Sequence, residues 1–459
     1  TPPGDRRVQE AQERDLLARL ETRDSPSTPV LLAGLLGLPS NEAAREGGDE
    51  WKELAAGEDA RLLLRASDWR PLWGTARGAD EPPTRTRASP PPSGPGPRLG
   101  SASPALIAEM APVAPPRVSR WPGDWRSVPP ASVGMSSARL ERAAQEIGQL
   151  EALEFLLVAR AGRLVVERYF RDASPDRLHN VKSVSKSVLS AVLGIALEQG
   201  HLDLDVPLAV YLPQAAALDD PRKREITVGN LATMRTGLES TSFGNYGSWV
   251  SSRDWIRNAL ERPLVDEPGG RRRYSTGDTH LLSAVLTAAT GTPTLEFARR
   301  NLLEPLGIGR VRWERDPNGI YVGGNNLAMT ARDLARFGQL YLDRGRWGEE
   351  QVVPWQWVDR STRESAPARP NEWGRYGYLW WLRPPDERGA YTANGFGGQF
   401  LYLSPAEDLL VVIGASQTSK PRGWRRQLFG LIREGVVGSV ETRTAGIGPA
   451  TSPLAAGAP

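Results

Sequence analysis

Apolar residues recur from about residue 136 onward with periods that switch between helical and extended. Leu140, Ala144 and Ile147 follow Ser136-Ser137 at helical steps, which predicts an amphipathic helix opened by a serine cap. Residues 155–160 and 163–170 read as strands, and Ala161-Gly162 between them suits a tight hairpin. From about 184 to 199 the apolar positions run nearly all round: Val184, Val188, Val192 and Ile195 on one side, with Leu189, Leu193 and Leu197 widening the stripe. That pattern predicts a buried helix ending at Gly200. Residues 203–345 read as mostly helical with irregular loops. Their clearest helix opens at Thr330, with Asp333 three residues on, and carries Leu334, Phe337 and Tyr341. Residues 398–403 and 409–415 are β-rich, and a last helix is expected over 424–436. The order is hairpin, helix, helical insertion, strands, helix. It predicts an α/β (α+β) fold: one antiparallel sheet built from both ends, flanked by helices, plus a mostly helical subdomain. A cleft between the two parts is the natural place to enclose a small molecule.

The first 120 residues break this pattern. They hold 17 of the 39 prolines, including the run from Pro90 to Pro97, and read as a largely disordered extension that adds little to the core. The ordered domain is expected over 121–438 and a flexible tail over 439–459. Nine apolar residues from Val30 to Leu38 are too few to cross a bilayer, so no membrane span is expected. They fit a signal-peptide core or a short buried helix, which leaves exported, periplasmic and cytoplasmic locations all open. With 459 residues, 39% of them hydrophobic, the chain has room for a sizeable core. Net charge is only +3 and no basic block alternates with aromatics, so nucleic-acid binding is not expected. There is no cysteine, and the three histidines lack the spacing of a zinc hydrolase. Neither a metal nor a cofactor is expected.

Any hydrolytic chemistry must therefore rest on serine, lysine, tyrosine and carboxylates. Ser183-Val184-Ser185-Lys186 opens the buried helix, in a chain with only five lysines. That spacing puts hydroxyl and amine on one helical face. A serine attacks once a base takes its proton, and a lysine stripped of water can be that base. The same tetrad also fits a capped helix with a surface lysine. Tyr274-Ser275-Thr276-Gly277-Asp278 precedes a helical run from 281 to 289. A phenol beside an amine relays protons if the cation draws its pKa down, although a tyrosine after three arginines also reads as packing. In Ala393-Asn394-Gly395-Phe396-Gly397-Gly398-Gln399, glycines would let a substrate lie against backbone whose N–H groups hold an oxyanion; a plain glycine bulge reads the same way. Phe243, Tyr246 and Trp249 in one loop, with Tyr378, Trp380 and Trp381, suggest a wall of rings suited to acyl chains or aromatic esters, part of it core. His179 reads as structural.

In this order the three segments resemble the serine β-lactamase and penicillin-binding-protein superfamily, nearest its class C β-lactamases, family VIII carboxylesterases and 6-aminohexanoate-dimer hydrolases. The superfamily pattern is Ser-x-x-Lys, Tyr-x-Asn, then Lys-Thr-Gly or His-Thr-Gly on an edge strand. Residues 226–238, 330–338 and 376–381 add to the likeness, which spans about 121–438. The resemblance implies acylation of Ser183, with Lys186 and Tyr274 sharing the proton transfers and the choice of base left open. It implies an oxyanion hole from the backbone N–H groups of Ser183 and Phe396. Tyr246, Trp249, Thr276, Asn394 and Gly395 would contact substrate, Tyr246 as a lid. Thr276 departs from the pattern's asparagine, Ala393 from its cation and Asn394 from its threonine. A buried substrate carboxylate without that cation costs several kcal/mol. The expectation is therefore a serine hydrolase acting on a small ester or amide. β-Lactamase action, D-amino-acid peptidase action and a catalytically retired binding module are the alternatives.

Overall fold

The computed structural model describes residue 125 and residues 127–366, 374–417 and 420–441. The proline-rich extension lies outside the described residues. Helix α1 (Ser137–Gly148) buries Leu140, Ala143, Ala144 and Ile147, the face its periodicity predicts. Strands β1 (Leu153–Arg160) and β2 (Arg163–Tyr169) form the hairpin. Ala161 at φ 50° and Gly162 at φ 70° supply the left-handed pair that such a two-residue turn demands. Helix α2 (Ser185–Glu198) is buried almost throughout and stops before Gly200, which is left-handed at φ 72°.

The insertion that follows contains helix α3 (Thr276–Thr290) and helix α4 (Ala331–Leu342). Its reading as mostly helical holds, with an addition: short strands at His179–Asn180, Arg312–Trp313 and Leu327–Met329 make a small sheet of their own. Strands β3 (Arg375–Tyr376), β4 (Trp381–Leu382), β5 (Tyr391–Gly395), β6 (Gln399–Ser404) and β7 (Leu409–Ala415) return to the main sheet, and helix α5 (Trp424–Gly430) closes it.

The main sheet is antiparallel in the order β2-β1-β7-β6-β5-β4-β3, so the two ends of the domain meet where β1 pairs with β7. Alternate residues serve two cores. Leu156, Val158, Val411 and Ile413 pack with α1 and α5, whereas Phe155, Leu157, Leu410 and Val412 pack with α2 and α4. Burial of both faces explains why β7 reads as an unbroken apolar run.

Residues 439–441, expected in the tail, belong instead to the domain. Ser136 N donates to Ser439 O at 2.8 Å, Met135 bridges Val440, and Glu441 N donates to Gly134 O at 3.0 Å. These bonds satisfy backbone groups on the strand that leads into α1, which no side-chain pattern announces.

Candidate active site

The cleft is built where α2 begins. A 3-10 turn, Lys182–Val184, precedes it, and Lys182 takes φ 50°, a left-handed conformation unusual for a side-chain-bearing residue. Asn180 Oδ1 accepts from Lys182 N at 2.9 Å and helps hold that backbone. Ser183 is thereby set at the mouth of the helix, half-buried, while Lys186 lies one turn deeper with 1% of its surface exposed.

Lys186 Nζ is surrounded by three oxygens: Ser183 Oγ at 3.2 Å, Thr276 Oγ1 at 3.2 Å and Gly324 O at 2.6 Å. Burial pushes its pKa down to about 7, against the opposing pull of Asp278. The cause is desolvation and not a neighbouring cation such as Lys182. A neutral amine here gives its two N–H bonds to Gly324 O and Thr276 Oγ1, which leaves the lone pair for the Ser183 proton.

Tyr274 shares a hydrogen bond with Ser183, stacks on Trp381 with ring centroids 5.6 Å apart, and lies 5.0 Å beneath Lys186 Nζ. Its pKa moves up, not down: burial takes it to about 12, against the Ser183 hydrogen bond and the charge of Arg425. The phenol therefore stays protonated at neutral pH. Just after it, Ser275 caps α3 by accepting from Asp278 N at 3.3 Å, so the helix starts five residues earlier than its apolar run. Thr276, standing at the superfamily's asparagine, faces Lys186 and bonds Ser242 Oγ at 2.9 Å.

Strand β5 forms the opposite wall. Strand β4 pairs only with Tyr391 and Thr392, which leaves residues 393–395 beyond that ladder. Gly395 abuts the backbone before Ser183: a Cβ there would touch Val181 O and come within 3.2 Å of Lys182 Cβ, so only glycine fits without a shift. Phe396 sits exposed in the turn to β6. Ala393 is 1% exposed and belongs to the core beneath α2, so nothing basic projects from that position.

The ring wall divides. Tyr246 is half-buried, and its hydroxyl accepts from Asn325 Nδ2 at 3.1 Å. Trp249 is fully buried, packs on Trp255 and His280, and donates Nε1 to Trp255 O at 3.0 Å. It cannot touch substrate; it anchors the helical turn that carries Tyr246. Trp380 is likewise core, while Trp381 backs Tyr274. The Phe243 side chain lies outside the described residues. His179 is structural, with Nδ1 3.1 Å from Glu154 Oε2. Sequence reasoning missed Gly324, Asn325, Asp278 and Ser242. The cluster Gly323-Gly324-Asn325-Asn326 signals a turn, but nothing local says that the turn ends against Lys186.

A β-lactamase family model matches residues 138–431. The chain belongs to the β-lactamase family. It is 26% identical to the 6-aminohexanoate-dimer hydrolase of Paenarthrobacter ureafaciens over 312 residues, 62% of this chain and 79% of that protein. It is 27% identical to the esterase EstB of Burkholderia gladioli over 168 residues, 33% of this chain and 43% of the esterase. The fold matches the octameric penicillin-binding protein homologue from Pyrococcus abyssi with a TM-score of 0.52 at 18% identity, over 66% of this chain and 78% of that one. This family member is a serine hydrolase, with the mixed α/β architecture expected of it. Among the described residues, no helix is long and apolar enough to cross a membrane.

Proposed function

We propose that this hydrolase cleaves an ester or amide of a small molecule through an acyl-enzyme on Ser183. The observation that carries the reading is the dry Lys186 amine, 3.2 Å from Ser183 Oγ with its pKa pushed down to about 7. Lys186 takes the Ser183 proton as Oγ attacks the carbonyl carbon. The backbone N–H groups of Ser183 and Phe396 receive the developing oxyanion. Tyr274, a neutral phenol, passes a proton to the leaving group and is recharged from Lys186. Water then enters by the reverse route and frees the acid. The opposite pKa shifts of lysine and tyrosine favour Lys186 as the base and Tyr274 as the relay. Tyr246 covers the bound acyl group, while Thr276 and Gly395 shape the floor. Residues 121–441 form the catalytic unit in this reading.

Ala393 favours acyclic substrates over β-lactams, because no amine projects from β5 toward a ring carboxylate. In a panel of p-nitrophenyl esters, linear amides, D-amino-acid peptides and nitrocefin, short acyl esters are expected to turn over. Nitrocefin should lag by about a hundredfold in kcat/KM, the weight of one charge-assisted hydrogen bond. A fluorophosphonate should label Ser183, and labelling would rule out a retired binding module. Efficient nitrocefin hydrolysis with inert esters would overturn the preference.

Gly324 offers a test that touches none of the reacting side chains. A Cβ there would press on Thr279 and stand 2.9 Å from Lys186 Nζ. Gly324→Ala is expected to displace the amine and lower ester turnover by about a hundredfold, as misplacement near 1 Å does elsewhere. Undiminished turnover in a folded G324A protein would contradict the placement of the amine.

A further inference from the structure

The turn that presents Ser183 is bent into a shape that its own residue resists. Lys182 stands at φ 50°, where the Cβ of an ordinary residue crowds the carbonyl oxygen that follows it. Glycine enters this region freely and asparagine tolerates it, but lysine does neither. Such a conformation persists only where the surroundings impose it.

The surroundings here are a directed chain of side-chain amides. Glu314 Oε2 accepts from Asn326 Nδ2 at 2.7 Å. An ionised carboxylate can only accept, so the Asn326 amide is turned with its oxygen toward Asn180. That oxygen accepts from Asn180 Nδ2 at 3.2 Å, which aims Asn180 Oδ1 at the Lys182 N–H, 2.9 Å away. Beyond Lys182 the hold continues from the next residue of the same segment. Ser185 Oγ accepts from Leu327 N at 3.2 Å and donates to Lys182 O at 2.6 Å, while Val181 N donates to Leu327 O at 2.8 Å. Two consecutive residues, Asn326 and Leu327, thus grip the turn before and after its left-handed residue. In a trans peptide the N–H points opposite to the C=O, so a fixed Lys182 O also fixes the direction of the Ser183 N–H. Lys182 O receives the Ser185 N–H as well, so loss of that hydroxyl would leave one bond in place. Asn180 is the sharper point of attack.

We propose that Asn180 is a positioning residue for acylation: it imposes the left-handed Lys182 and so aims both the Ser183 hydroxyl and the Ser183 N–H at the attacked carbonyl. This rests on the acyl-enzyme reading. Asn180 bonds neither to Ser183 Oγ nor to Lys186, so its loss should slow the chemical step without changing the base.

The test is a mutant cycle on the full chain, read in single turnovers of p-nitrophenyl acetate. Asn180→Ala should lower the acylation rate by about tenfold to a hundredfold, the scale of a displaced oxyanion donor or a misplaced nucleophile. The substrate concentration for half-maximal rate should stay within about twofold and the acid limb of the pH profile should not move. Lys182→Gly makes the left-handed conformation easy, so Asn180→Ala should cost at least about fivefold less in that background than in the wild type. An undiminished rate in N180A, an equal loss in both backgrounds, or an acid limb shifted by N180A would overturn the proposal. If the wild type neither turns over esters nor takes a fluorophosphonate on Ser183, the acyl-enzyme reading fails by itself. The clamp is then decided by melting temperature: N180A should lower it less in the K182G background than in the wild type, and an equal drop in both would sink the idea.

Discussion

Ser183→Ala and Lys186→Ala are each expected to remove ester turnover almost completely, by about four to six orders of magnitude, while the protein stays folded. The two side chains form one unit, since the hydroxyl is inert without an acceptor and the amine has no other proton to take. Their losses should therefore not add, and the double variant should be no slower than the worse single one. Ser183 is half-buried in the middle of a 3-10 turn and lies outside both hydrophobic clusters, so its loss should leave the melting temperature close to the wild type. Lys186→Ala removes a desolvated amine but strands Gly324 O, two opposing effects on stability. Circular dichroism and single-turnover kinetics on the three variants decide the matter. If K186A retained even about a tenth of the activity, another group would be the base.

The acid limb of the rate profile should carry the second large effect. Lys186 accepts a proton only when neutral, and burial sets its pKa at about 7 instead of the ordinary 10.5. Turnover should fall tenfold per unit of pH below that value, to about a hundredth at pH 5. Above it the rate should level off, because Tyr274, pushed up to about 12, keeps its proton over the measurable range. Asp278 titrates in the same window: burial raises its pKa to about 7, with Thr236, Ser275 and Lys186 holding it back. The limb therefore belongs to a coupled pair. The aspartate charge favours the ammonium form of Lys186, so Asp278→Asn should shift the limb to lower pH. A limb unmoved by D278N, or one centred near 10, would show that the amine is not the titrating base.

The parts of this fold that were legible are those where one periodicity carries one environment. The β1–β2 hairpin, α2 and the β6–β7 pair each read directly because both faces of the sheet and nearly the whole of α2 are buried. The start of α3 was not, because Ser275 and Asp278 form its cap before any apolar residue marks the helix. Among the site residues, spacing alone brings Ser183 and Lys186 together, since one turn of helix does so. Tyr274 needed its likeness to the family, and the direction of its pKa shift needed the structure. Gly324 lies 138 residues from Lys186, and its contribution is a carbonyl that any residue possesses. Trp249 was misjudged because composition cannot tell a ring that lines a cleft from one that roofs the core.

The pairing of the first strand with the last also sets when the enzyme can first act. Strand β1 pairs on one side with β2, the very next segment, and on the other with β7, some 250 residues further along. As the chain leaves the ribosome, nucleophile, lysine and tyrosine all emerge well before the strand that walls their cleft. Until β5 and β7 arrive the sheet behind α2 is incomplete, and a solvated Lys186 would be an ordinary ammonium that cannot take a proton from serine. In the proposed mechanism the Ser183 hydroxyl should therefore stay silent until the last strands of the domain complete the cleft. A truncation between α3 and β5 should yield a chain that contains Ser183, Lys186 and Tyr274 and performs no chemistry.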